Sequence, residues 1–154
     1  MAATLPIATL TDLARSQATE AARKLAVLQD ANLTAGQKLE VLLQYREDYD
    51  RQLQMLLAAG LGSAQWRNYQ DFLKALDDGI ALQRTAVAQA EDRLDRGRGD
   101  WQQQRQRQNA FETLAERMRR QEMLVANRRE QRASDEQAAR MVLGRRSLPD
   151  AITP

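Results

Sequence analysis

The chain has 154 residues, 43% of them hydrophobic and 5% aromatic, with 23 basic against 21 acidic side chains. Because it contains no cysteine and no histidine, disulfides, thiol nucleophiles, the commonest metal ligand and the usual general base are excluded. We therefore predict no enzyme, no catalytic residues, no cofactor and no metal. The absence of a long apolar window or a basic leader predicts a cytoplasmic protein.

Heptad spacing of apolar residues predicts a first long helix from about Thr11 to Ala59. Its a and d sites, which step by three and four as in a coiled coil, are Ala18, Ala21, Leu25, Leu28, Asn32, Ala35, Leu39, Leu42, Arg46, Tyr49, Leu53 and Leu56. The preceding segment is uncharged and contains Pro6. We expect residues 1–10 to form a disordered tail.

A glycine-rich segment from Ala59 to Ser63 predicts a tight turn. Gly60 suits the left-handed position that follows a helix, and the Ser63 hydroxyl suits the N-cap of the next helix. So short a connection between two long helices favours an antiparallel hairpin. The predicted fold is therefore all-α, with two long helices in an antiparallel coiled-coil hairpin.

The second helix is predicted from about Ala64 to Leu143, so it overhangs the first. Its a and d sites are Trp66, Tyr69, Leu73, Leu76, Ile80, Gln83, Val87, Ala90, Leu94, Gly97, Trp101, Gln104, Gln108, Phe111, Ala115, Met118, Glu122 and Val125. Gly144 and Pro149 are expected to end it, leaving residues 144–154 as a disordered tail. The hairpin domain thus comprises residues 11–143.

The turn fixes which residues of the two helices lie opposite one another. The predicted pairs are Leu56 with Trp66, Leu53 with Tyr69, Leu42 with Ile80, Leu28 with Leu94, and Ala21 with Trp101. The first helix begins near Thr11, which lies opposite Phe111. We therefore expect no residue of the first helix to cover the second helix from Ala115 onwards. Gly97 is placed near Leu25, where it is either a tolerated defect in a long helix or a hinge.

Two surfaces are candidates for function. One flank of the seam carries the aromatic residues Tyr45 and Phe72, bordered by Tyr49 and Leu76, which indicates either a protein-binding patch or a widened core near the turn. The stretch from Arg96 to Arg146 holds 13 arginines against 7 acids. Nucleic acid is one interpretation, but acids interleaved at helical spacing favour a solvated or protein-facing surface.

Four segments, taken in order, resemble a known family. They are LLQYREDY from Leu42 to Tyr49, NYQDFLKAL from Asn68 to Leu76, Trp101, and REQRASDE from Arg129 to Glu136. Their order, spacing and total length resemble those of the bacterial flagellar export protein FliJ family. The resemblance covers most of the chain.

This resemblance implies a non-enzymatic coiled-coil component and chaperone of the flagellar type III protein export apparatus, similar to the central stalk of rotary ATP synthases. The implied partners are the hexameric export ATPase, the cytoplasmic domain of the export gate protein FlhA, and export chaperones. The implied location is peripheral, on the cytoplasmic side of the inner membrane at the flagellar base. We expect a monomer when free, without bound nucleic acid or membrane insertion.

The resemblance also implies which residues contact partners. The family's gate-binding surface matches Leu42, Tyr45, Tyr49, Phe72 and Leu76, whereas Lys38, Gly79 and Gln83 depart from the family pattern at its remaining positions. The expected ATPase or chaperone contacts are Met118, Val125, Arg129 and Arg132. Two alternative functions are an Arg-rich coiled-coil nucleic-acid adaptor and a stalk protein of a virulence type III secretion system.

Overall fold

Two long α-helices make up the part of the chain that the structure describes. The computed structural model describes residues 6–147. Helix α1 spans Ile7–Ala59, with 53 residues, and α2 spans Ser63–Arg146, with 84 residues. The predicted all-α hairpin of two long helices is confirmed. The parts of the predicted tails in residues 1–5 and 148–154 lie outside the described residues.

Both helices extend further than the heptad pattern predicted. Helix α1 begins four residues before Thr11, because the Leu10 N–H donates to the Pro6 carbonyl at 3.2 Å and the Thr11 hydroxyl donates to the Ile7 carbonyl at 2.8 Å. Helix α2 continues through Gly144 to Arg146. Glycine weakens a helix by only about 1 kcal/mol relative to alanine, which does not by itself end one. The tail boundaries at residues 10 and 144 are corrected accordingly.

Three residues connect the helices, and two glycines among them set the turn. Gly60 has a φ of 92°, and its N–H donates to the Leu57 carbonyl at 3.3 Å, which confirms its predicted role after the end of α1. The Trp66 N–H donates to the Gly62 carbonyl at 3.0 Å. The N-cap of α2 is therefore Gly62, and Ser63 is the first helical residue rather than the predicted cap.

Within residues 13–107, the two helices pack through the predicted a and d sites. Buried apolar positions include Ala18, Leu53, Ile80 and Leu94, and the other predicted sites of this unit are half-buried except Leu56, which is exposed. Two pairs of contacting residues across the helices measure the register, Arg46 with Asp77 and Tyr49 with Phe72, and each differs from the predicted pairing by one position. Gly97 lies near Leu25, as predicted, although Leu28 is nearer.

The remaining unit, within the described residues, combines residues 6–12 with residues 108–147. Thr11 and Gln108 are buried there, and Ala115 is half-buried. From residue 117 to residue 147 every side chain is exposed. The prediction that α1 leaves the end of α2 uncovered is thus confirmed. We call residues 117–147 the arm.

Gly97 marks a close approach of the two helices. A Cβ atom built on Gly97 would lie 2.5 Å from Leu28 Cδ1 and 3.7 Å from Leu25 Cδ1, whereas one built on Gly99 would meet nothing within 4 Å. Helix α2 runs through both glycines without interruption. Gly97 therefore has a packing role that Gly99 lacks, because the Leu28 side chain occupies the space a larger residue would need.

These two glycines give a matched pair of stability variants. Gly99→Ala is expected to raise the free energy of unfolding by about 1 kcal/mol, since alanine restricts the unfolded chain and creates no new contact in the folded one. Gly97→Ala is expected to gain less or to lose stability, because Leu28 must move. Urea denaturation followed by circular dichroism measures both. An equal gain for Gly97→Ala would contradict the close approach.

Candidate functional site

Aromatic rings from both helices meet at one edge of the seam. The Tyr49 ring lies 4.2 Å from the Phe72 ring, centroid to centroid, at an interplanar angle of 31°. Its centroid is also 6.4 Å from that of Tyr69, at 56°. Aromatic pairs in such tilted arrangements are favourable beyond the area that they bury. Tyr49, which is half-buried, therefore fixes Phe72 and holds the two helices together at this edge.

Helical spacing brings the other residues of the predicted gate-binding surface to the same edge. Leu42 and Tyr45 lie seven and four residues before Tyr49, and Leu76 lies four residues after Phe72, so each shares a helix face with a member of the stacked pair. We call the five residues Leu42, Tyr45, Tyr49, Phe72 and Leu76 the aromatic edge. Its geometry combines core packing with an open apolar surface.

Exposure separates the members of the aromatic edge. Leu42, Tyr49 and Leu76 are half-buried, whereas Tyr45 is 55% exposed and Phe72 is 42% exposed. The two sequence interpretations thus each describe part of the edge: Tyr49 belongs to a widened core, and Tyr45 offers its ring to solvent. Exposed aromatic rings beside a firmly packed seam are typical of protein interfaces.

Polar residues beside the aromatic edge have distinct roles. Gln83 donates from Nε2 to the Ala35 carbonyl at 3.0 Å, so this side chain ties α2 to the α1 backbone. Lys38 is exposed, and with Leu42 and Val41 it lines a shallow groove that continues the edge towards the start of α1. Gly79 is half-buried at the seam. Of these three departures from the family pattern, Lys38 is the one that presents a charge to solvent.

An ion pair joins the helices at the seam. Arg46 Nε lies 2.6 Å from Asp77 Oδ1, and the hydrogen bond and charge of Asp77 raise the pKa of Arg46 above its ordinary value. Arginine is already fully charged at neutral pH, so this shift creates no physiological titration. The pair connects an a site of α1 to α2 and thereby favours one register. Heptad counting placed Arg46 in the seam but did not identify Asp77 as its partner.

The arm carries the second group of predicted contacts. Met118, Val125 and Arg129 line one shallow groove along α2, while Arg132 is exposed one turn further on. Met118 is 41% exposed and Val125 is 44% exposed. Across residues 117–147 there are nine arginines and four acids, a net charge of +5. The arm therefore presents an apolar stripe within a basic surface.

Within residues 6–147, no three acidic residues cluster closely enough to hold a metal ion. Over the same range no helix has both the length and the apolar character needed to cross a membrane.

Comparison with known proteins gives consistent matches over nearly the whole chain. The family model described as "Flagellar FliJ protein" matches residues 3–147. The chain is 33% identical over 137 residues to the flagellar FliJ protein of Escherichia coli (strain K12), which covers 89% of this chain and 93% of that protein. It is 31% identical over 135 residues to the flagellar FliJ protein of Salmonella typhi, covering 88% and 92% respectively.

Proposed function

The chain belongs to the FliJ family of flagellar proteins, and we propose that it is a non-enzymatic component of flagellar protein export that binds both the export ATPase and the export gate. The observation that carries this proposal is the aromatic edge, where Tyr45 and Phe72 expose their rings next to the packed Tyr49. Such a surface suits a protein partner better than it suits solvent.

The export gate is the proposed partner of the aromatic edge. The edge offers rings held in place before binding, because Tyr49 stacks against Phe72 and both side chains lie on continuous helices. Preorganised aromatic anchors lose little conformational entropy on binding, which favours affinity. The cytoplasmic domain of the gate protein FlhA is therefore proposed to bind here through an apolar surface of its own.

The export ATPase is the proposed partner of the arm. A single helix without tertiary contacts is marginally stable in water, so a long exposed segment is stabilised when a partner covers its apolar stripe. Its net charge of +5 favours an acidic binding surface on the ATPase ring or on an export chaperone. Binding at the ring and the gate would place the chain at the cytoplasmic side of the inner membrane.

Coupling between these partners follows from binding energy alone. The hairpin would contact the ATPase ring with one surface and the export gate with another. It would therefore stabilise the relative arrangements of ring and gate in which both contacts form at once. This role requires neither a catalytic residue nor a cofactor. A chaperone role would use the same exposed apolar surfaces to cover export substrates or their carriers.

The alternatives from the sequence have different support. A virulence-system stalk would share the hairpin, but the two curated relatives are both named flagellar proteins, which favours flagellar export. A nucleic-acid adaptor would use the arginines of the arm. Two of these, Arg119 and Arg120, pair with Glu116 at 3.7 Å and 3.4 Å, which reduces the charge available to phosphates.

Charge substitutions on the arm test the ATPase contact. Met118→Asp with Val125→Asp is expected to weaken binding to the export ATPase by about tenfold or more, since both apolar side chains would leave the interface. The packed hairpin of residues 13–107 should stay folded, because both positions are exposed and lie outside it. Isothermal titration calorimetry with the purified ATPase measures the affinity.

Met123→Asp provides the matched control. Met123 is also exposed on the arm, at 60% against 41% and 44% for Met118 and Val125, but it does not line their groove. Its substitution should change affinity by less than about twofold. If the control weakens binding as much as the double variant does, the stripe is not the contact surface. Unchanged binding in the double variant would remove the ATPase from the proposed partners of the arm.

A further inference from the structure

The longest run of uncharged residues in the chain lies at the turn of the hairpin. Residues 52–66 contain no charged side chain, although 29% of the whole chain is charged, and Arg51 and Arg67 border the run on its two sides. We call residues 52–66 the hairpin tip. The hairpin tip lies within residues 13–107, at the end of that unit where the chain passes from α1 to α2.

Apolar side chains of the hairpin tip are open to solvent. Met55 is 74% exposed, Leu57 is 47% exposed and Leu56 is 36% exposed. From residue 54 to residue 60 every side chain is exposed, and the last buried residue of α1 is Leu53. The packed seam therefore stops short of the turn, and the hairpin ends in an apolar surface.

Charged residues return in a fixed order with distance from this end. At 1.5 Å per helical residue, Trp66 and Arg67 lie about 5 and 6 Å along α2 from its first residue, and Arg51 lies about 12 Å before the last residue of α1. The nearest acidic residues, Asp71 and Asp50, lie about 12 and 14 Å from the same two ends. An apolar end is thus followed by a tryptophan and two arginines, and only then by acids.

This order matches the layers of a lipid bilayer surface. Apolar segments that bind a membrane peripherally enter it by about 5–10 Å, to the boundary between headgroups and acyl chains. Tryptophan prefers this interface, and arginines near an anionic membrane surface are attracted to it. At that depth Met55 and Leu57 reach the acyl chains and Arg67 reaches the phosphates, while Asp50 and Asp71 stay in water.

The backbone of the turn also suits a hydrated surface. The two helix ends that meet here leave about four carbonyls and four N–H groups without partners inside the helices. The Leu57 carbonyl and the Trp66 N–H are paired at the turn. The headgroup region of a bilayer retains water, which hydrates the remaining groups during shallow contact. A dry protein socket would instead need a matching donor or acceptor for each of them.

We propose that the hairpin tip binds the surface of a bilayer containing anionic lipids, by shallow insertion of Met55 and Leu57 and contact of Arg67 with phosphates. Arg51 lies 3.6 Å from Glu47, which engages part of its charge. The sequence led us to expect no membrane insertion, and no helix within residues 6–147 can span a bilayer. Shallow contact requires no spanning helix. This proposal does not depend on the export partners, so it stands or fails separately from them.

Quenching of tryptophan fluorescence by lipid tests insertion of the hairpin tip. The full-length protein is titrated with vesicles of phosphatidylcholine and phosphatidylglycerol whose acyl chains carry bromine, which quenches tryptophan at short range. Trp101 lies about 50 Å further along α2 than Trp66, so the two are not quenched together by contact at the tip. We expect saturable quenching that Trp66→Phe removes. Vesicles of phosphatidylcholine alone should bind several-fold more weakly.

Two double variants locate the lipid contact. Met55→Asp with Leu57→Asp should weaken vesicle binding by about tenfold or more, because two carboxylates would have to enter the acyl boundary. Val27→Asp with Leu82→Asp is the matched control, since it adds the same charge at positions that are 69% and 75% exposed outside the hairpin tip. The control should change binding by less than about twofold. Circular dichroism checks that both proteins are folded.

A charge variant separates the phosphate contact from insertion. Arg67→Gln should weaken binding to the anionic vesicles about fivefold, whereas Arg84→Gln, at an exposed position of α2 outside the hairpin tip, should bind as the wild type does. Absence of quenching in the wild type would overturn the proposal. Flotation of the protein with vesicles but without quenching would also overturn it, because another surface would then bind the lipid. Equal weakening by the two double variants would have the same meaning.

Discussion

Replacement of Tyr45 by alanine should lower affinity for the FlhA cytoplasmic domain by about 5-fold to 150-fold and leave the melting temperature nearly unchanged. Tyr45 is 55% exposed, so its ring contributes little to the packing of the hairpin. An exposed aromatic ring that becomes buried at an interface typically contributes about 1–3 kcal/mol to binding. Calorimetric titration and thermal denaturation, performed on the same protein preparation, measure the two quantities.

The other residues of the aromatic edge should show different combinations of the two effects. Phe72→Ala should weaken binding and also lower stability by about 0.5–1.5 kcal/mol, because the ring stacks against Tyr49. Leu42→Ala and Leu76→Ala should lower both stability and binding, since these half-buried side chains face the seam and border the edge. Stability and affinity thus separate the rings that bind from the residues that support them.

Leu82→Ala is the control for these four variants. Leu82 is 75% exposed on α2 but lies outside the aromatic edge, so its truncation should change neither quantity appreciably. If Tyr45→Ala unfolds the protein as severely as Leu42→Ala does, Tyr45 belongs to the core. If the folded Tyr45→Ala protein binds the gate domain as the wild type does, the gate-binding surface lies elsewhere.

The fold could be predicted because one periodic signal determines it. Residues that step by three and four were buried or half-buried from Ala18 to Leu53 and from Trp66 to Ala115, and Gly60 marked the turn. The start of α1 was missed although the same steps continue backwards through Ala14 and Thr11 to Ile7. The uncharged segment with Pro6 favoured a later start, yet proline is compatible with the beginning of a helix and the Pro6 carbonyl accepts from the Leu10 N–H.

The candidate sites were predictable as positions but not as contacts. Heptad geometry placed Tyr45 and Phe72 on one flank of the seam. Whether such a ring is buried depends on whether side chains of the partner helix reach far enough to cover it. The stacking of Tyr49 on Phe72 and the bond from Gln83 to the Ala35 carbonyl result from side-chain torsions that spacing does not specify. The packing of the Leu28 side chain against Gly97 was not predicted for the same reason.

Amide hydrogen exchange in the arm of the free protein should be fast, with protection on the order of tenfold over an unfolded chain. Every side chain from residue 117 to residue 147 is exposed, so these amides are protected only by the marginal stability of an isolated helix. By contrast, amides from Leu73 to Leu94 should be protected by roughly 1,000-fold or more, because they exchange only when the packed hairpin opens. Mass spectrometry of deuterium uptake resolves the two segments.

Addition of the export ATPase should slow exchange in the arm and leave the segment from Leu73 to Leu94 nearly unchanged. A partner that covers Met118 and Val125 couples opening of the arm to dissociation, so protection rises with the occupancy of the complex. The variant with Met118→Asp and Val125→Asp should stay unprotected at the same ATPase concentration. An arm that is as protected alone as the packed hairpin would show that it needs no partner, and unchanged exchange on adding the ATPase would assign the arm another role.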